Sequence, residues 1–379
     1  MREYLDAAIS QHVQRGRTLK SMIPRGLNAH FQALAQTCRN EIDRVLDELT
    51  FLNCTPEMLY PGNQPERLRA FRRQVEDLDD VENIGIAALS RSHPDDDKLN
   101  RLVEQIVREI NYPLPLPTVS SLSQSYFKIY PKFNLLCVPL SEGRFLLHLP
   151  DLYHELAHPL LTEKNNPSTE PYQQESKAVL MDVVTHTQRE ILKVQRNIGL
   201  QGLENYFQCW EFCWVKWWLV EFFCDLFSVY TLGPAFAWSH LHLCAKRGGD
   251  PFHVPTNIPT HHPADAARMA VLLIGLSQID FRNEAGAIQD RWEALNATRG
   301  ASVTPEYQYC FPNDLLTRIA EGALDGVMSI GCRIAKPTTD DTVHKILNDA
   351  WLEFWRDPDR FSVWETDAVD QLYSTASVD

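Results

Sequence analysis

Residues Tyr126–Leu160 read YFKIYPKFNLLCVPLSEGRFLLHLPDLYHELAHPL. Two periodicities meet in this stretch. Tyr126–Tyr130 and Asn134–Leu140 read as short strands, Ser141-Glu142-Gly143 as a turn, and Arg144–Leu149 as a third strand. Pro150 and Asp151 then open a helix, with Asp151 as its N-cap.

Working outward, residues 1–112 carry apolar side chains at helical spacing. Leu27–Leu52 (Phe31, Leu34, Ile42, Val45, Leu46, Leu49), Pro65–Asp79 and Asp96–Ile110 are the clearest cases, and Asp95–Asp97 supplies N-cap candidates for the last. Pro113–Pro117, PLPLP, breaks the pattern and marks a boundary. After Asp151 the expected helices are Tyr172–Arg196, Leu203–Leu232, Ala264–Ile279, Asn283–Leu295, Asn313–Ile330 and Asp341–Trp355. The expected class is α+β, mostly α: a helical N-terminal region (1–112), a core (119–282) with a small antiparallel sheet beside one helix, and a helical C-terminal region (283–379) packed on that core.

Composition narrows the function classes. The chain has 379 residues, with 36 Lys+Arg against 50 Asp+Glu and a formal charge of −14. So acidic a chain is a poor match for phosphate backbones, and no nucleic-acid partner is expected. The N-terminus, MREYLDAAISQHVQRGR, has no apolar run of the secretory kind. Glu211, Lys216, Glu221 and Asp225 interrupt the most apolar stretch, so no membrane span is expected. Nine cysteines at irregular spacing read as reduced thiols of a cytoplasmic protein.

The chemistry lies in His154-Glu155-Leu156-Ala157-His158, an HExxH. On a helix, positions i and i+4 share a face, so both imidazoles reach one metal ion, and Glu155 stands beside its open position as a general base. Pro159 follows at once and is expected to kink or end the helix. A further ligand is sought in Glu221-Phe222-Phe223-Cys224-Asp225. Glu221 and Asp225 again share a face, and a carboxylate pair among Trp217, Trp218, Phe222 and Phe223 needs a compensating charge. Glu221 would ligate the metal, and Asp225 would accept a hydrogen bond from a ligating imidazole. His262-Pro263-Ala264-Asp265-Ala266-Ala267-Arg268, an HP-x4-R, follows.

Together these motifs resemble the gluzincin zinc metallopeptidases of the HtpX and CAAX-prenyl-protease type, here as a soluble variant. The resemblance spans about Tyr126 to Leu276. It implies Zn2+ held by His154, His158 and Glu221, Glu155 as general base, and Asp225 orienting a ligand. It also places His262 near the fourth metal position or the oxyanion, with Arg268 bracing that corner and His261 as an alternative to His262. The implied activity is hydrolysis of peptide bonds, with narrow specificity or latency. The substrate would be a protein or peptide lying along Arg144–Leu149 or Asn134–Leu140, and the N-terminal helices would offer a surface for a regulatory partner. Family members of this type are commonly membrane-embedded or exported, and this sequence shows neither feature, so a prenylated or membrane substrate does not follow. Two rival expectations stand beside this: a helical interaction protein with a structural metal site, and a zinc hydrolase acting on a non-peptide amide or ester. Cys209, Cys213, Cys224 and Cys244 read as core thiols, and Trp210, Trp214, Trp217, Trp218 and Trp238 as core aromatics. His148 in its strand, His240, His242 and His253 read as structural.

Overall fold

The computed structural model describes residues 2–91, 95–123, 126–196 and 204–375. The chain is α+β and mostly α, with helical N- and C-terminal regions and one three-stranded sheet. Among the described residues no helix is long and apolar enough to cross a membrane. The chain divides into two compact units, residues 1–100 with 116–140, and residues 101–115 with 141–379. The first thus takes in the sheet, so the division differs from the expected boundaries at 112, 119 and 282.

In the first unit, helices Arg2–Met22, Ala29–Cys54 and Gln64–Asp80 enclose an apolar core. Phe31, Leu34, Cys38, Ile42, Val45 and Leu49 recur at three- and four-residue intervals along the second helix and are all buried there. The Asn28 side chain caps that helix by accepting from the Phe31 N–H. Strand β1 (Thr118–Ser123) runs parallel to β3 (Leu135–Pro139), and β2 (Lys128–Tyr130) pairs with β3 antiparallel, giving the order β1-β3-β2. The sheet is therefore mixed, not antiparallel. Asp96, one of the expected cap residues, uses its carboxylate to accept from Ser121 N–H, while Asn100 exchanges bonds with both Val119 backbone groups. These contacts fasten β1 to the first turn of the helix Asp96–Glu109.

Arg144–Leu149 is not a strand. Glu142–Arg144 is a 3₁₀ turn, and the next residues close local turns through His148 N–H to Phe145 C=O and Asp151 N–H to His148 C=O. Leu146, Leu147 and Leu149 are buried all the same. A short apolar run bounded by turn residues fits a strand or a buried loop equally well, and here Leu146 N–H finds the Glu365 carboxylate rather than a neighbouring strand. Asn134–Leu140 does contain β3, but β3 is the central strand with both edges paired. Neither segment can take an added substrate strand, so that part of the expectation falls.

Four helices of the second unit carry the chemistry-bearing residues: Asp151–Thr162, Leu219–Leu232, Pro234–Arg247 and Asp265–Gln278. We call the first, second and fourth the motif, carboxylate and arginine helices. Leu203, where the carboxylate-bearing segment was expected to start, lies outside the described residues. From Glu204 the segment runs as Glu204–Cys213, a π-helical turn Trp214–Trp218, and the carboxylate helix itself. Gly275 lets the arginine and carboxylate helices approach closely. A Cβ there would stand 3.0 Å from Leu226 Cδ2 and 3.3 Å from the Tyr230 ring.

Candidate metal centre

The motif helix continues through Pro159 to Thr162, so the expected break at the second histidine does not occur. Its last turn is held from outside the ladder. Tyr112 Oη donates to Leu156 C=O at 2.7 Å, and the Gln173 amide donates to the Leu160 and Glu163 carbonyls. These bonds hold the turns around Pro159, whose missing N–H takes a donor from the Glu155 carbonyl. His154 and His158 face the same way, with ring centroids 5.0 Å apart. Glu155, next to His154 in the chain, is half-buried.

The carboxylate helix meets this pair. His154 Nδ1 lies 2.9 Å from Asp225 Oδ1, and His154 Nε2 lies 3.5 Å from Glu221 Oε2. Phe236, from Pro234–Arg247, stacks on the His154 ring with 13° between the planes. Asp225 is fully buried and takes both arms of Arg268, from Nε at 2.7 Å and from the other guanidinium nitrogen at 2.6 Å. Arg268 is itself buried. Its partner is therefore not His262 but Asp225, the carboxylate 2.9 Å from His154 Nδ1. A planar guanidinium suits that bidentate task, and burial makes the pair depend on it.

His262 is exposed and donates from Nδ1 to Glu221 Oε2 at 3.1 Å. His261 turns away and packs on Trp217 with ring centroids 4.2 Å apart, so His262 is the histidine that faces the centre. The loop carrying them is pinned by two indoles: Trp210 Nε1 donates to Pro255 C=O and Trp218 Nε1 to Thr260 C=O. The tryptophans are core residues whose N–H groups also place this loop, which residue type alone does not reveal.

Electrostatics follow from this packing. Burial pulls the His154 pKa down, but the Asp225 and Glu221 carboxylates outweigh it and raise it to about 10. Burial together with the neighbouring His154 charge pushes His158 down to about 4. Glu221 and Asp225 resist burial because His154, His262 and Arg268 hold both carboxyls well below the usual range. In the metal-free chain, one imidazolium thus sits between two carboxylates and the second imidazole is neutral.

The other expected structural residues behave as such. His148 pairs with Glu142, His240 Nε2 approaches Asp265 C=O at 3.3 Å, His242 packs on His148 and Trp351, and His253 is exposed. Cys209, Cys213, Cys224 and Cys244 are buried free thiols. The π-helical turn immediately before Glu221 had no sequence signal. Comparison with protein-family models, curated proteins and solved structures finds no match for this chain.

Proposed function

We propose that the chain is a zinc-dependent hydrolase of peptide bonds, with a centre of gluzincin type at His154, His158 and Glu221. The observation that carries this reading is the arrangement about His154: carboxylate at Nδ1, second carboxylate 3.5 Å from Nε2, and a buried arginine locking the first. Carboxylate–imidazole pairs of this kind orient metal-binding histidines. Two ligands each ~2.0–2.1 Å from a tetrahedral zinc stand ~3.4 Å apart, which matches the Nε2 to Oε2 separation. A neutral His158 is in the form a metal ligand needs. A zinc ion held there supplies a Lewis acid and makes water acidic enough to react near neutral pH.

The chain's own residues do the rest. Glu155, next to His154, takes the proton of the attacking water and returns it to the leaving amine. Asp225 fixes the imidazole plane of His154, and Arg268 fixes Asp225. His262 reaches solvent beyond its bond to Glu221. Its ring edge away from Glu221 is free to donate a hydrogen bond to the oxyanion. The peptide substrate follows from the motif resemblance.

The test compares protein termini by mass spectrometry in cells expressing the wild type and Glu155→Gln, together with the metal content of both purified proteins. New termini seen only with the wild type, at equal zinc content, are the expected result. Equal zinc without new termini would favour a helical interaction protein with a structural metal site. Absence of bound metal in both would refute the assignment.

A further inference from the structure

One more side chain faces this centre. Cys224 lies between Glu221 and Asp225 on the carboxylate helix and is fully buried. One potential ligand atom from each of His154, His158 and Cys224 lies within 4.8 Å of the other two. Helical geometry accounts for the placement. Cys224 is three positions and Asp225 four positions beyond Glu221, so they flank it on one face. The helix thus sets both carboxylates against His154 and the thiol near both imidazoles.

We propose that Cys224 is a ligand of the same centre, binding as a thiolate in the position that a reacting water would need, so that the resting protein is latent. The inference rests on the metal-centre reading given above. Zinc accepts thiolate, imidazole and carboxylate together; His154, His158 and Cys224 form the close group, Glu221 reaches it through His154 Nε2 at 3.5 Å, and a bound ion would draw these four together as donors. Four is the closed set of a structural site, whereas a catalytic site keeps one position open. As the sulfur–zinc bond forms, the S–H bond breaks and the proton passes to solvent, with no change of oxidation state. Burial and the Glu221, Asp225 and Glu155 charges raise the Cys224 pKa well above a free thiol's. A divalent cation bound at the two histidines would favour the thiolate. A core thiol would explain the burial of Cys224, but not its place against two histidines of an HExxH.

The experiment loads the full chain with Co2+ and records its absorption spectrum. Thiolate ligation gives an intense near-ultraviolet charge-transfer band that histidine and carboxylate ligands do not. The wild type is expected to show it. Cys224→Ser and Cys224→Ala are expected to lose it while still binding one cobalt per chain. Cys244 has its own neighbours in His240 and Asp265, so Cys244→Ser is the control and should keep the band. Acetohydroxamate, which needs free coordination positions, is expected to shift the visible cobalt bands of Cys224→Ser at ~10-fold or more lower concentration than those of the wild type. A cobalt-loaded wild type without the band overturns the proposal, and so does a band lost in Cys244→Ser. Equal acetohydroxamate sensitivity overturns the closure. Should the Cys224 variants fail to fold, the wild-type and Cys244→Ser spectra still decide. Failure of the wild type to bind any cobalt would instead remove the metal-centre reading itself.

Discussion

The two units spend their charged residues differently. In the first, Arg15 pairs with Asp79 and Glu82, Lys20 with Asp43, and Lys132 with Asp77 and Asp80, all on partly exposed surfaces over an apolar core. Arg67 is buried there; it donates to Leu52 C=O where the helix Ala29–Cys54 ends and pairs with Asp6 at 2.7 Å, a carboxylate that still reaches solvent. In the second unit, Arg268, Asp225 and His154 are buried against one another. Surface pairs contribute ~0–1 kcal/mol and are screened by salt. A buried set gains little net stability as a whole, yet removing one member leaves an uncompensated charge in the interior. The first pattern leaves its charges to solvent and salt. The second holds side chains in one geometry at a cost, which is the usual sign of a site.

The sharpest way to break this comparison is Arg268→Met. It removes the bidentate partner of Asp225 and leaves the buried carboxylate only the His154 ring beside it, and with the metal-free protein we expect a loss of ~3 kcal/mol, measured by urea unfolding of wild type and variant. Zinc affinity should fall as well, because Asp225 then no longer fixes the His154 ring. A loss below ~1 kcal/mol would show that Arg268 is no more than a surface-type partner and would undo the contrast.

How far the sequence could be read follows the same division. The helix Ala29–Cys54 is legible because its apolar period is regular and Asn28 caps it. The His154/His158 and Glu221/Asp225 pairs are legible because each is an i, i+4 pair, a purely local relation. Strand β1 is not, since TVSSLS follows PLPLP with little hydrophobic signal and its partner β3 comes only after β2. Arg144–Leu149 misleads because its leucines are buried in turns rather than in a sheet. Arg268 was found, but its partner was not, because a contact across 43 positions leaves no periodic trace. Cys224 reads as a core thiol by residue type, and only packing sets it beside the histidines.

The histidines give the next effect, in opposite senses. His240 and His344 are buried neutral, and burial lowers each to about 4. Between pH ~6.5 and that value the unfolded chain binds protons the folded chain does not, so stability falls as pH falls through this window. The ceiling is ~3 kcal/mol for each before relaxation. His154 runs the other way. Its pKa is raised to about 10, so its stabilisation is full below ~6.5 and is lost as pH rises toward 10. Metal-free protein should therefore be most stable near pH ~6.5, with both limbs seen in thermal melts. Zinc should flatten the alkaline limb, because a ligating imidazole carries no extra proton. His344→Gln should shrink the acid limb and leave the alkaline one. An alkaline limb unchanged by zinc would place the metal away from His154.

The smallest effect is expected in the first unit. Lys132 is partly exposed and reaches Asp77 at 2.5 Å and Asp80 at 3.6 Å. Asp77 also holds Arg44, and these cations together, against a burial cost, keep its pKa below the ordinary value. In Lys132→Ala, Arg44 and water remain to satisfy the carboxylate, so the loss should stay under ~1 kcal/mol and shrink further in high salt. Urea unfolding at two ionic strengths measures both. A loss comparable to that of Arg268→Met, unaffected by salt, would mean that this surface cluster is as constrained as the buried one, and that exposure does not separate the two units' charges.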